Sequence, residues 1–507
     1  MSEKRRIVSN TLANGGAQIT ALVASLVFMP LLIRSFGLTA YGLFLLVTSV
    51  AQYAQLLDFG VGTSLVKMIS QHLAEGDRDK IGPLVSAALV FYIIVGIAAA
   101  AIMVLLGFTA GSIFKVNPEG ASLLRNMFLV AAAYSLLVWP ANTFVYALGG
   151  FQRYTLTARV QLGVTLGLVA AYVAVLLTHE GPLMLFAATS AVTIVGSIVN
   201  VVLSLRELNG LRVSPALARP AQLRRIFSFS WAIFLVQLST VVIYQQTDRV
   251  VLGVFLGGAA VGVYEAAGKF QGFISQLVAF SNSAVIPMAS HLDASGAEEK
   301  LKVLFLRGSK YVLALVAPVV VVLLVLARPL LVRWLGPSFG AMAVNAQILI
   351  FPQLLVAGGT IGDSIIVGTG ALKRRLPYSL SMVAANLILS LILVQRYGIL
   401  GVVLGTAIPY LIDYPIHMWW LLRELKVPAS RWAREVVAPV YPLLAIPLAV
   451  SVAGYFSPLS GSLVGLAAVG AMSVGAYLAG MFAVGLSSDE RAEVRSAIGL
   501  VRGRFAR

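Results

Sequence analysis

Apolar runs of about 20 residues, the length a helix needs to cross a hydrocarbon core at 1.5 Å per residue, recur along this chain with short polar breaks. Fourteen are read. Six lie near 12–36, 41–66, 84–108, 123–148, 155–178 and 183–205. Six more lie near 226–255, 260–287, 311–332, 342–367, 377–394 and 400–422, and two near 436–456 and 461–484. Glycine is frequent inside them, as expected where small residues let helices approach closely in lipid. The pattern predicts an all-α polytopic membrane protein of about 14 transmembrane helices.

Composition agrees and closes other routes. Of 507 residues, 59% are hydrophobic and 11% charged, against about 45–50% and about 25% in a typical soluble domain. Cysteine is absent, which removes disulfides, thiolate metal sites and cysteine nucleophiles. His72, His179, His291 and His417 lie far apart, so no H-x-x-x-H ligand pair exists. Residues 1–6 are polar and basic, and the apolar run after them is too long for a cleaved signal. The nearest approach to a phosphate-binding loop, Gly262 to Gly268-Lys269-Phe270, has one residue too many and lacks the Ser/Thr. No cofactor, metal or catalytic constellation is expected, and no nucleotide site.

The net charge of +17 sorts by side. Counting the N-terminus and every second connection, 29 of the 37 basic residues fall on one side and six on the other: Arg34, Lys115, Arg125, Arg328, Arg333 and Arg396. Arg249 and Lys269 lie inside spans. The positive-inside rule then puts both termini in the cytoplasm and explains the basic excess without a nucleic-acid partner. The outer connections are too short to build an extracytoplasmic active site, which disfavours a membrane glycan polymerase or ligase.

The chain also repeats itself. Gly37-x-x-Ala40-x-Gly42 returns as Gly257-x-x-Ala260-x-Gly262, 220 residues later. His72-Leu73 and Lys80 match His291-Leu292 and Lys300 at 219 and 220, and Gly150-x-x-Arg153 matches Gly370-x-x-Lys373 at 220. Leu205-Arg206-Glu207-Leu208 returns as Leu422-Arg423-Glu424-Leu425 at 217. Matches at nearly one offset signal duplication. Because six spans is an even number, both copies enter the membrane in the same sense, which predicts two lobes in a parallel pseudo-twofold repeat. The expected divisions are an N-terminal lobe 1–206, a cytoplasmic linker 207–225, a C-terminal lobe 226–425, two added helices 426–484 and a basic tail 485–507.

Two stretches carry a resemblance. Asn10, Pro30-Leu31-Leu32-Ile33-Arg34, Tyr41-Gly42 and Leu57-Asp58-Phe59-Gly60-x-Gly62 open the first copy. Thr247-Asp248-Arg249-Val250-Val251-Leu252-Gly253, Val261-Gly262-x-Tyr264, Ala267, Lys269 and Pro287 open the second. Over nearly its whole length the chain resembles Wzx-type lipid-linked oligosaccharide flippases of the multidrug/oligosaccharidyl-lipid/polysaccharide exporter superfamily. The resemblance implies export of an undecaprenyl-diphosphate-linked glycan, an O-antigen or exopolysaccharide unit, across the bacterial inner membrane. Its partners would be that glycan, membrane lipids, a proton or sodium ion for coupling, and glycan polymerase machinery.

Ionisable residues inside spans cost about 2.5–3.5 kcal/mol each on the insertion scale, so each needs a reason. Arg249, Lys269, Asp58 and Asp248 are the expected lining of a central substrate cavity, the two bases offsetting a diphosphate. Asp363, Asp413 and Glu265 are candidates for ion coupling. Cytoplasmic Arg153, Lys373, Arg374 and Arg375 are candidates for first capture of the headgroup. Shifted by the repeat offset, none of the seven in-span charges meets a charge in the other copy; Lys269, for example, falls on Ser49 and Arg249 on Met29. The fold does without them there. Bland readings stand beside these: Glu265 and Lys269 are spaced i, i+4 and can neutralise each other, and Asp58 can cap a break before Gly60. Tyr53, Gln55, Tyr244, Gln245, Gln246, Gln271 and Gln276 are polar or amphipathic residues of the same helices. Five acids against two bases also suit a cation-coupled multidrug exporter, the alternative reading.

Overall fold

A computed structural model describes residues 24–208, 210, 212–241, 247–282, 285–493 and 495. Among them every regular element is helical. Eleven helices are long and apolar enough to span a bilayer, from Leu38–Asp58 to Leu463–Gly485. The other three expected spans are helical wherever they are described, over Ala24–Phe36 and over Pro220–Val241, Thr247–Leu256 and Gly258–Asn282. The first of them begins at residue 12, outside the described residues.

Helix starts follow local chemistry. Asn117 accepts from the Gly120 amide at 2.9 Å ahead of Pro118, and Ser462 accepts from Gly465 at 3.0 Å, each satisfying an amide the helix cannot. The helix Tyr154–Leu177 has only 11% of its apolar window buried, whereas Glu298–Leu335 has 50%. The first is exposed along most of its length; the second is a core element.

Several expected spans are not single regular helices; that over 436–456, for one, passes through Ala438–Val440 and a 3-10 turn at Pro442–Leu444 before Ala445–Tyr455. The run expected over 41–66 is interrupted: Leu38–Tyr53 tightens into a short 3-10 stretch over Ala54–Asp58, and Phe59 and Gly60 then take left-handed backbone at φ 49° and 74° before Val61–Glu75 resumes. Gly60 accepts that geometry without strain because it lacks Cβ. The run expected over 342–367 is likewise divided, into Ala343–Ile350, Gln353–Val356, Ala357–Gly359 and Thr360–Gly368. Non-helical backbone inside a membrane is tolerated where protein covers it or it lines a cavity.

Contacts divide the chain into two compact units, 1–263 with 379–402, and 264–378 with 403–507. The lobes expected from the repeat are divisions of duplicated sequence and follow different boundaries. Within the first unit, Val61, Leu65, Ile69, Tyr92 and Trp139 form the heart of a buried cluster. Elsewhere in the same unit the repeated glycine motifs meet. A Cβ on Gly42 would stand 1.8 Å from the Gly258 carbonyl oxygen, and one on Gly262 would stand 3.0 Å from that of Leu38. Gly258 and Gly262 are the repeat equivalents of Leu38 and Gly42, so the contact is reciprocal, the property of a local two-fold.

Within the second unit, Val322 and Leu326 of Glu298–Leu335 pack on Leu466 and Val469 of the added helix Leu463–Gly480. The other end of Glu298–Leu335 is fastened to the start of the basic tail. Lys310 pairs with Glu490 at 2.5 Å and Arg307 with Glu493 at 3.1 Å. Ser487 and Glu490 form a reciprocal capping box. Burial works against the Glu490 charge, but Lys310 and the Ser487 amide hold its carboxyl below the usual carboxylate range.

Candidate functional site

The charges inside the spans fall into three arrangements. The first is the break at Asp58. Its side chain is 5% exposed and accepts from the Tyr92 hydroxyl, from Tyr146, and from the amides of Gly60 and Gly62. Tyr92 stacks between Trp139 and Tyr146 at 6.0 Å from each. Gly62 is small by necessity, since a Cβ there would stand 2.1 Å from the Tyr146 ring. These bonds tie the broken helix to Ile81–Ile113 and Pro118–Gly150.

The second arrangement joins Leu38–Tyr53 to Thr247–Leu256. Ser49 and Tyr53, one turn apart, face the second helix. The Arg249 guanidinium donates to Ser49 Oγ at 3.2 Å, and the Tyr53 and Thr247 hydroxyls are 2.8 Å apart. Asp248 and Arg249 are both half-buried. Ser49 escaped sequence reasoning as a partner, although it occupies the position where the second copy carries Lys269.

The third lies in the second unit. Gly358, Gly359 and Gly362 let the helix Ile399–Glu424 come close: a Cβ on Gly362 would meet Leu421 Cδ2 at 2.4 Å. That approach sets Asp363 Oδ1 2.8 Å from His417 Nε2, while the His417 ring stacks on Trp420 at 5.8 Å. The His417 side chain is 7% exposed and that of Asp363 22%. Asp413, half-buried, precedes His417 by one turn on the same helix. His417 was dismissed for want of a second histidine; its i, i+4 spacing from Asp413 was the signal available. The arrangement places a partly accessible carboxylate against a buried imidazole within one unit.

The remaining candidates are accounted for locally. Glu265 and Lys269 pair at 2.8 Å along their helix, as the i, i+4 reading has it. Arg153 pairs with Glu207 at 3.0 Å while remaining more than half exposed. Lys373, Arg374 and Arg375 lie on the helix Leu372–Tyr397, but their side chains fall outside the described residues, as do Tyr244, Gln245 and Gln246. Gln55 and Gln276 are exposed and Gln271 half-buried. Among the described residues, His72, Glu75 and Asp77 are the one His/acidic group close enough to share a metal ion, and Asp77 there already bonds Lys80.

An all-α bundle with broken helices and paired intramembrane charges defines a polytopic transporter fold. It matches the lipid II flippase MurJ in an inward closed conformation with a TM-score of 0.67 and 13% identity, over 93% of this chain and 98% of that one. An inward-facing multidrug resistance MATE family transporter of the MOP superfamily matches with a TM-score of 0.66 and 15% identity, over 81% and 94%. The chain belongs to the polysaccharide biosynthesis protein family, whose model matches residues 7–293. The "Probable flippase AglR" of Haloferax volcanii is 21% identical over 77% of this chain and 78% of its own length. An uncharacterized membrane protein of Methanocaldococcus jannaschii is 24% identical over 44% of this chain. The chain spans a little under half the length of that relative, 45%.

Proposed function

We propose that the chain is a flippase of glycan biosynthesis that carries a lipid-linked oligosaccharide from the cytoplasmic to the outer leaflet, both termini staying in the cytoplasm. The observation that carries the reading is Arg249, a half-buried cation of an apolar span set on the Ser49 hydroxyl. A half-buried guanidinium is suited to grip phosphate through several donors at once. A diphosphate-linked glycan, of the undecaprenyl type in a bacterium, supplies that anion while its lipid tail stays in the bilayer.

The energetics favour outward movement. Each negative charge gains about 2.3 kcal/mol per 100 mV, so a headgroup carrying about two charges gains about 4–5 kcal/mol when the inside is negative by that amount. Alternating access of the two lobes exposes the headgroup first to one side and then to the other. The Asp363–His417 pair supplies ion coupling. Arg249→Ala, inserted at normal levels in a flippase-deficient strain, is expected to restore little glycan export; full complementation would overturn the cationic role.

The same Asp363–His417 pair favours a second reading, cation-coupled drug export. Efflux of a cationic dye by the purified protein, abolished by Asp363→Asn, would put that reading first.

A further inference from the structure

Six basic residues lie on the side opposite the termini, where the positive-inside rule gives no reason for them. Arg328 is one. It stands seven residues before the end of Glu298–Leu335 and is followed by Pro329. Proline has no N–H, so the Val325 carbonyl loses its intrahelical donor and the helix is disposed to bend there.

Val325 and Arg328 open onto a cleft of about 610 Å³, within the range of about 300–1,000 Å³ that small-ligand sites occupy. Its other walls include Val344 and Gln347 of Ala343–Ile350, and Tyr455 and Phe456 at the end of Ala445–Tyr455. Gln347 donates to the Leu324 carbonyl at 2.7 Å and braces one wall against the other. The apolar lining is open: Val344 is 56% and Phe456 81% exposed. The Arg328 guanidinium is exposed and has no ion-pair or hydrogen-bond partner among the described residues.

An open apolar cleft with a single unneutralised cation is complementary to an amphiphile with an anionic head. We propose that it binds an anionic phospholipid of the outer leaflet, its phosphate on Arg328 and one acyl chain along Val344 and Phe456. The leaflet follows from the orientation proposed above; the site does not depend on what is transported. It also gives the added helix 445–455 a task, since that helix supplies one wall.

The test is native mass spectrometry of the full-length protein in detergent, titrated with phosphatidylglycerol and, separately, phosphatidylcholine. Wild type is expected to retain phosphatidylglycerol at least tenfold more strongly. Arg328→Gln should bring the two lipids within twofold of each other. Val344→Trp, which fills the cleft and keeps the charge, should weaken retention of both. Glycerol phosphate, a headgroup without chains, should not compete. Equal retention of the two lipids by wild type, an unchanged preference in Arg328→Gln, or full competition by glycerol phosphate would overturn the proposal. Binding is read here without transport, so failure of this site and failure of the flippase reading are separate results.

Discussion

Asp58 and Asp363 are both carboxylates in interrupted membrane helices, and their surroundings differ in kind. Asp58 is buried and accepts from two tyrosines and two backbone amides. These partners all donate to it and tie the break to two neighbouring helices. Asp363 is partly open and bonded to the His417 imidazole, whose neighbour along the helix is another acid, Asp413. The contrast teaches that an acid inside a membrane span is not by that fact a transport residue. Its cost can be met by donors that lock a fold, or lowered by partial access to solvent and a single polar partner.

The largest effect that tests this contrast is expected at Asp58. Asp58→Leu strands four donors, each costing about 1–3 kcal/mol when left unpaired in the interior. The variant should fail to accumulate as a monodisperse peak in size-exclusion chromatography of the detergent extract. Normal accumulation with normal transport would erase the distinction. Asp363→Asn and His417→Gln come next. Both should yield wild-type amounts of folded protein, yet slow transport at least tenfold. A rate matching wild type would show that the pair is as structural as Asp58.

How much of this was legible in the sequence follows from the range of each interaction. Apolar runs and short polar breaks sufficed for the helices, because spanning a bilayer constrains every residue of a run. Phe59-Gly60-Val61-Gly62 announced a break by its glycines, but the tyrosines that hold Asp58 lie 34 and 88 residues away, where no spacing rule reaches. The divided helix 343–368 was read as continuous because its composition is apolar throughout; its glycines mark where another helix approaches, which a local pattern does not disclose. Asp363 and His417 are 54 residues apart, and only the Asp413–His417 spacing hinted that a histidine shared a face with an acid.

The smallest effect is expected at Arg153. Its exposed pair with Glu207 is worth about 0.2–1 kcal/mol at most, so Arg153→Ala should leave the melting temperature almost unchanged. If this arginine also captures headgroups, the same variant should raise the substrate concentration needed for half-maximal transport while sparing the maximal rate. A change in neither would leave it an ordinary cytoplasmic anchor.

The central claim is that a cation in the membrane carries an anionic lipid-linked glycan outward. Leaflet transfer in proteoliposomes tests it most directly. A fluorescent undecaprenyl-diphosphate-linked oligosaccharide is loaded, and its exposure to a membrane-impermeant glycan-cleaving enzyme is followed with and without an imposed potential. Transfer should require the protein, accelerate with the potential and fall at least tenfold in Arg249→Ala. Transfer that is indifferent to the potential and unchanged in Arg249→Ala would contradict the account.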